Sequence, residues 1–340
     1  MAQTGRSTVS QQPPVVLGLD FGGTKIAMMV CEPSGQRLAS STVASGGELG
    51  ARASFERGIQ AARTLLAHAA SGRDLAAVGV STFGIPFDDR VELAPAISGW
   101  DELALGHELR VAFPGARIVM ATDAKAAAQA EMRWGALAGC DPAIYLNLGT
   151  GLSAAIVAGG QVINGRNGAA GEIGYNLRGT EDVGVPLTAR MLLEDMISGQ
   201  ALARRAASHS AHGQPIPAGE VFEASRDNAD LDRLVTDFVT ELAFHVVNLA
   251  ICLNPVRIAV GGGMVRSWDR LRPGLQHALS EGMPFPPELV AARFPSDAPL
   301  IGAVALAVDA AHTGAAAQPG TDGGDPVTPL PQHMSEGLPS

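Results

Sequence analysis

Residues 15–30, VVLGLDFGGTKIAMMV, set two apolar runs on either side of a glycine turn, and the fold depends on whether a helix or a strand comes after that turn. From Gly18 the stretch reads G-x-x-x-x-G-T-K, one transposition from the phosphate loop G-x-x-x-x-G-K-[ST]. A true phosphate loop starts a helix directly after its glycines, and the first amides of that helix hold the phosphates. Here Ile26-Ala27-Met28-Met29-Val30 stays apolar and then meets Pro33-Ser34-Gly35, a turn signal. That run is too short and too β-like for the required helix. The Thr-Lys order is also reversed, and the stretch has no G-x-G-x-x-G, so a Rossmann turn fails too. What survives is a β-hairpin whose Gly22 and Gly23 let the backbone approach a phosphate with no Cβ in the way. Asp20, at the end of the first strand, could hold a water of a Mg²⁺ ion, which keeps several waters and takes one or two carboxylates. An ordinary tight turn accounts for the same residues equally well at this point.

The pattern can be followed outward. Residues 15–20, 25–31 and 37–43 read as three strands joined by tight turns, 52–69 as a helix, and 76–80 and 117–121 as further strands. Residues 123–137 form an Ala-rich helix. Then AIYLNLGTGLSAAIVAGG, 143–160, repeats strand, glycine turn and strand. A long amphipathic helix over 231–253 stops at Asn254-Pro255, where proline cannot continue the ladder. A strand over 256–260 runs into Gly261-Gly262-Gly263, and 301–311 is a last apolar helix. Two strand–turn–strand cradles, one in each half, match the layout of actin-like phosphotransferases; two unrelated glycine-rich hairpins are the alternative.

The 340 residues suffice for two cores. Hydrophobic residues make up 46% and charged residues 17%, which are globular values. The net charge of −10 argues against nucleic acid or an anionic membrane as partner. Lysine occurs only at Lys25 and Lys125; that skew toward arginine, with abundant Ala and Gly, suggests a GC-rich bacterial genome. Cys31, Cys140 and Cys252 are odd in number and form no C-x-x-C pair, which suits a reducing cytoplasm. No apolar stretch reaches about 18 residues, so no membrane span is predicted, and MAQTGRSTVSQQPP lacks the core of a signal peptide. Residues 1–14 and the Pro-, Gly- and Ser-rich 313–340 read as a disordered lead and tail.

LDFGGTKI resembles the first phosphate motif of the ROK family (repressors, open reading frames and sugar kinases) within the hexokinase–actin superfamily. Further segments agree in order. Val78-Gly79-Val80 and Gly84, then Leu93-Ala94-Pro95 and Gly99-Trp100, resemble the sugar-side loop. TDAKAAAQAE (122–131) resembles N-D-x-N-A-A-A-x-x-E, the segment with the catalytic Asp. LNLGTG (146–151) resembles the second phosphate motif, and NGRNGAAGEIG (164–174) resembles N-G-x-x-G-x-A-G-E-I-G-H. Leu193-Glu194 with Ser198-Gly199 resembles the stretch bearing a second sugar-binding Glu, and NPVRIAVGGGM (254–264) resembles the adenosine motif. The resemblance covers about residues 15–310.

It implies a two-lobed α/β, actin-like (ribonuclease H-like) ATPase fold with an interlobe cleft. One lobe would span 15–121 with the helix near 300–312 returning to it, and the other 122–299. It also implies an ATP- and Mg²⁺-dependent kinase, with a homodimer as the family's usual assembly. Asp123 becomes the candidate base, positioned to take the proton of the attacking hydroxyl; a helix N-cap is the plain alternative for an Asp in that place. Asp20, Gly22, Gly23, Thr24, Thr150 and Gly151 would serve the phosphates, and Gly261, Gly262 and Gly263 would let the nucleotide lie close to the backbone. Lys25 either contacts phosphate or, since strands alternate, points to solvent. Thr122, Asp123, Asn164, Glu172, Tyr175 and Glu194 are the candidate substrate contacts.

The departures from the family fall on the sugar side. Thr122 stands where the family has Asn before its Asp, Ala96 where it has Asn after Ala-Pro, and Tyr175 where G-E-I-G-H has His. That His often serves both the sugar and a structural zinc. The companion cysteine run is missing as well, since residues 176–192 hold neither Cys nor His. Zinc takes about four ligands, so no zinc site is predicted; one tightly bound zinc per chain by elemental analysis would overturn this. A site built for particular hydroxyls rejects analogues that leave its polar groups unpaired. The altered set therefore points away from an ordinary glucokinase. The layout resembles that of ROK kinases of secondary metabolism that phosphorylate C7-cyclitols, carbasugars with an exocyclic CH₂OH and no ring oxygen, and this resemblance implies such an acceptor; a hexose kinase is the alternative. A ROK repressor would need a DNA-binding domain before the first motif, where only residues 1–14 stand. A non-catalytic sugar sensor would more readily have lost the base or the phosphate glycines.

Overall fold

The computed structural model describes residues 12–210 and 213–315. Of the lead read over 1–14, residues 1–11 lie outside the described residues, as does the tail read over 313–340 from residue 316 on.

The first half runs β1 (Val15–Phe21), β2 (Lys25–Cys31), β3 (Arg37–Ala44), α1 (Ala51–Ala69), β4 (Leu75–Thr82), β5 (Ile85–Pro86), β6 (Val91–Glu92), α2 (Leu105–Ala112), β7 (Arg117–Thr122) and α3 (Asp123–Trp134). The second runs β8 (Ala143–Leu148), β9 (Leu152–Ala158), β10 (Gln161–Val162), α4 (Gly199–Arg205), α5 (Ala218–Ala224), α6 (Ala229–Leu253), β11 (Arg257–Gly261), α7 (Trp268–Gly282), β12 (Glu288–Ala291) and α8 (Ala298–Ala315). The sheets are ordered β3-β2-β1-β4-β7 and β10-β9-β8-β11-β12. Both therefore read third, second, first, fourth, fifth. In both, the first two pairings are antiparallel hairpins and the next two are parallel.

Each sheet is covered on both faces, which is why strands such as β1, β2, β4 and β8 read as apolar runs rather than alternating ones, while the edge strand β3 alternates. Leu17, Leu19, Phe21, Ile26 and Met28 pack with Phe55 and Ile59 of α1 and Leu105 and Leu109 of α2. The opposite face, with Val16, Met29 and Ala77, packs on Leu300, Val304 and Val308 of α8. In the second half, Ile144, Leu146 and Ile258 pack on Phe238 and Leu242 of α6 and Leu275 of α7. Tyr145, Ala155 and Ala259 on the other face meet Ala127 and Ala128 of α3. Helices α3 and α8 thus lie between the two sheets and against each other. Contact there is close enough to exclude side chains. A Cβ on Gly302 would fall 1.7 Å from the Ala126 carbonyl oxygen, and one on Gly79 would fall 1.9 Å from that of Ala303.

Three differences from the sequence reading have local causes. Helix α3 ends at Trp134 rather than at 137 because the Glu131 carboxylate accepts the Ala136 N–H at 2.6 Å and turns the chain. Helix α8 runs into the segment read as tail, with the Thr313 hydroxyl donating to the Asp309 carbonyl at 2.9 Å. Helix α6 is long and apolar enough, by length and composition, to cross a membrane. Its Leu231, Val235, Phe238, Leu242 and Val246 are instead buried in the core.

Candidate active site

Four chain reversals meet at one cleft of about 970 Å³. The first is the β1–β2 hairpin, closed by Gly22 N–H on the Lys25 carbonyl at 2.9 Å. Its counterpart between β8 and β9 closes with Gly149 N–H on the Gly151 carbonyl at 3.1 Å. In this second hairpin the Gly149 carbonyl accepts the Gly199 N–H at 2.9 Å, and Thr150 and Gly151 line the cleft. The third reversal is the junction of β7 and α3, and the fourth the end of β11, where Gly263 reaches the cleft.

Asp123 is the first residue of α3 and lines the cleft. Its Oδ1 accepts the Ala124 N–H at 2.7 Å, so the residue uses the free amides of a helix start while standing in the cleft. Burial pushes its carboxyl above the ordinary carboxylate range, with Glu194 adding to the rise and the Ala124 amide and Lys125 opposing it. A base works best with its pKa near the operating pH, and the shift runs that way. Thr122, just before it, is buried at 4% exposure and lines the cleft. Its hydroxyl has no partner among the described residues, as suits a group waiting for a ligand.

Asp20, at the end of β1, accepts the Ser81 hydroxyl at 2.8 Å. Burial pushes its carboxyl up to about 6; the Ser81 bond and Lys25 oppose this, and Asp123 adds to it. A carboxylate so short of positive charge fits the outer hydration shell of a divalent cation. Lys25 lines the cleft wall. Gly23 and Thr24 line a second cavity of about 490 Å³ beside it, and Ala96 borders both.

Another part of the cleft wall is carried by loops of the second half. Glu172 lines the cleft, its carboxyl pushed up to about 7 by burial, against Lys125 and with Asp123 and Glu194. Glu194 accepts the Leu152 N–H at 3.2 Å, and a Cβ on Gly151 would fall 2.6 Å from its Oε2. The second hairpin and the Glu194 loop are therefore one packed unit. Tyr175 is half-buried in the same wall, and its phenol is raised by burial and by Glu194 and Glu172. Phe83, Ile85, Leu93 and Pro95 of the first half also line the cleft. Leu93 has φ +56°, a left-handed conformation that leucine rarely adopts. The loop carrying it is anchored by Trp100, fully buried, whose indole N–H donates to the Thr82 hydroxyl at 3.1 Å.

Not every residue singled out in the sequence comes to the cleft wall. Asn164 is exposed and does not line it. Of the glycine run, only Gly263 faces the cleft. A Cβ on Gly261 would strike the Tyr145 hydroxyl at 2.1 Å, and Gly262, at φ +86°, sits 2.4 Å by the same measure from the Leu148 carbonyl oxygen. Those two are glycines for the packing of their own chain. Residues 176–192 are held by Arg178, which pairs with Asp182 at 2.6 Å and 2.9 Å, and by Arg190, which donates to the Tyr175 carbonyl at 2.7 Å. Sequence reasoning missed Arg266, Asp195 and Ser296 on the wall, and above all Lys125. A signal for Lys125 existed: it occupies the second Asn of N-D-x-N-A-A-A.

The sequence matches the ROK family over residues 16–310. It is 29% identical over 290 residues to a glucokinase of Halalkalibacterium halodurans, covering 79% of this chain and 86% of the relative. It is 30% identical over 275 residues to a kanosamine kinase of Amycolatopsis mediterranei, again covering 79% and 86%. The fold is similar to that of a ROK glucokinase from Streptomyces griseus solved with glucose and AMPPNP. That comparison gives TM-score 0.68 and 29% identity over 85% of this chain and 98% of the other. With two duplicated α/β sheets around a cleft, the chain belongs to the ROK family and has its actin-like fold, as a phosphotransferase of the sugar-kinase class.

Proposed function

We propose that this protein is an ATP- and Mg²⁺-dependent kinase that phosphorylates a primary hydroxyl of a sugar-like polyol, best fitted by a C7-cyclitol. The observation that carries the kinase reading is Asp123, held at the start of α3 in one cleft with the Thr150-Gly151 hairpin and beside Asp20. The acceptor hydroxyl would sit at Asp123, which takes its proton as the bond to phosphorus forms. Gly22, Gly23, Thr24, Lys25, Thr150 and Gly151 would hold the phosphates, and Gly263 and Arg266 the nucleoside end. Asp20 would hold a bound Mg²⁺ through water; such an ion neutralises charge on the phosphates. Thr122, Glu172, Tyr175 and Glu194 would orient the ring.

The cyclitol choice rests on Ala96, Thr122 and Tyr175, all on the cleft wall where the family motifs carry Asn, Asn and His. They remove amide and imidazole partners, and the part of the wall formed by Phe83, Ile85, Leu93 and Pro95 is apolar. Retention of Glu172 and Glu194, and the likeness to hexose and amino-sugar kinases, favour a hexose kinase as second reading. A coupled ATP assay with glucose, mannose, kanosamine and a C7-cyclitol such as valiolone separates them. Highest kcat/KM on the cyclitol is the expected result, and efficient turnover of glucose at micromolar KM refutes it. We extend the reading to a homodimer through the second half, supported by exposed Leu177, Val183, Leu187, Met191 and Phe244. Sedimentation as a monomer at micromolar concentration would refute that.

A further inference from the structure

Amid three cleft carboxylates, Asp123, Glu172 and Glu194, the structure buries a cation. Lys125 lies on the first turn of α3, two residues after Asp123, and is 4% exposed. Its ammonium donates to the Gly168 carbonyl. Gly168 belongs to the loop that leads into Glu172 and is itself confined, with φ +75° and the Ile85 side chain where its Cβ would be. Farther along that loop, Ala154 N–H donates to the Gly171 carbonyl at 2.8 Å, fixing the approach to Glu172 on β9.

A buried lysine is rarely tolerated without compensating charge. The charges that face Lys125 are Glu172, from the loop, and Asp123, from its own helix. Glu172 in turn faces Lys125, Asp123 and Glu194, and Asp123 faces Glu194 and Asp20 as well. The phenols of Tyr175 and Tyr145 border the same group. An amide can still donate to the Gly168 carbonyl, more weakly than an ammonium; it would not act on the ionisation of Glu172.

Resting on the kinase reading above, we propose that Lys125 is a positioning residue for the acceptor. Its ammonium ties the base-bearing turn of α3 to the loop through Gly168 and stands as the counter-charge that lets Glu172 face acceptor hydroxyls as a carboxylate. Burial lowers the ammonium's own pKa, and Glu172 and then Asp123 hold it up; the coupling therefore runs both ways.

Two measurements test this. Lys25 and Lys125 are the only lysines of the chain, so lysine-labelled protein gives two side-chain NMR signals, assigned with Lys125→Arg. In Glu172→Gln the titration midpoint of Lys125 is expected to fall by about one pH unit, the low end of the ~1–3 units that a close opposite charge produces. An unmoved Lys125 midpoint overturns the proposal. In kinetics, Lys125→Gln keeps a donor for Gly168 without the charge. With the best acceptor of the panel above, its acceptor KM is expected to rise about tenfold at pH 7, with ATP KM within about twofold. The acid limb of acceptor kcat/KM should move up by about one pH unit, and Lys125→Arg should restore it. A wild-type limb in Lys125→Gln, or an equal rise in both KM values, overturns the proposal. Absence of turnover with every acceptor would sink the kinase reading alone, and the NMR titration would still decide the role of Lys125.

Discussion

Glu172→Gln is expected to stabilise the protein at alkaline pH while it weakens the acceptor site. In the fold the Glu172 carboxyl is raised from 4.5 to about 7, by burial first, then by Asp123 and Glu194 against Lys125. A raised acid favours the fold only when protonated. Its contribution is fully present below about pH 4.5 and is lost as the pH climbs through 7, where the folded protein must hold a buried carboxylate. At ~1.4 kcal/mol per pH unit, the rise from 4.5 to about 7 sets a ceiling of about 3.5 kcal/mol. Glu172 is partly open to the cleft, where solvent screens the charges of Asp123 and Glu194 that act on it, so about 2 kcal/mol is the working figure. Glutamine keeps the shape and removes the ionisation. For a chain of this size the gain amounts to a rise in Tm of about 4 °C at pH 8, at ~2 °C per kcal/mol, and to little at pH 5. Thermal melts of the two proteins at both pH values, without nucleotide or acceptor, measure it. A gain equal at pH 5 and pH 8, or a lower Tm at pH 8, would refute the reasoning, because then the carboxylate is not the strained group.

Asp123→Asn removes the proton acceptor, and kcat is expected to fall about 10²- to 10⁴-fold with the Kd for ATP, read by calorimetry, essentially unchanged; undiminished transfer would exclude Asp123 as the base. Gly79→Ala places a Cβ 1.9 Å from the Ala303 carbonyl oxygen, so β4 or α8 must shift. About 1–3 kcal/mol of stability should be lost, and an unmoved urea midpoint would show that the contact is looser than described. Gly151→Ala sets a Cβ 2.6 Å from Glu194 Oε2 and should displace that carboxylate, raising acceptor KM more than ATP KM. The reverse order would show that the substitution acts through the phosphate hairpin rather than through Glu194.

Much of this architecture could be read from local sequence because its decisive features are local. A strand, not a helix, after Gly22-Gly23 shows in five consecutive apolar residues, and the second hairpin repeats the pattern at 143–158. Helix α7 was harder to see. It carries Pro273 inside it, which locally reads as a break, and its apolar stripe acquires meaning only against α6, where Gly274 lets Val239 approach. The same distinction divides the site. Asp123 and Thr150 are marked by their own neighbours in sequence. Lys125 depends on the Gly168 loop that folds over it, 43 residues on, and no local window contains that. The glycine run misled in part for a related reason. Gly261 and Gly262 look like room for a ligand, yet the atoms that demand their small size belong to Tyr145 and Leu148.

The duplication also explains why the candidate base stands where it does. In each half a helix comes after the fifth strand: α3 after β7 and α8 after β12. Neither helix covers the sheet it comes from. Helix α3 packs on the second sheet and α8 on the first, and they cross at Gly302 against Ala126. The chain must therefore leave one sheet for the other at the ends of β7 and β12, and a parallel sheet leaves its ligand crevice beyond just such strand ends. Asp123 occupies the first of these departures, and Pro295-Ser296, before α8, line the cleft at the second. The two halves are alike in topology but not in chemistry. The first exchange point carries a buried carboxylate with Lys125 on the same helical turn, and the second carries only small neutral residues on the cleft wall. A single proton acceptor suffices for transfer to one hydroxyl. The equivalent corner is then free to differ.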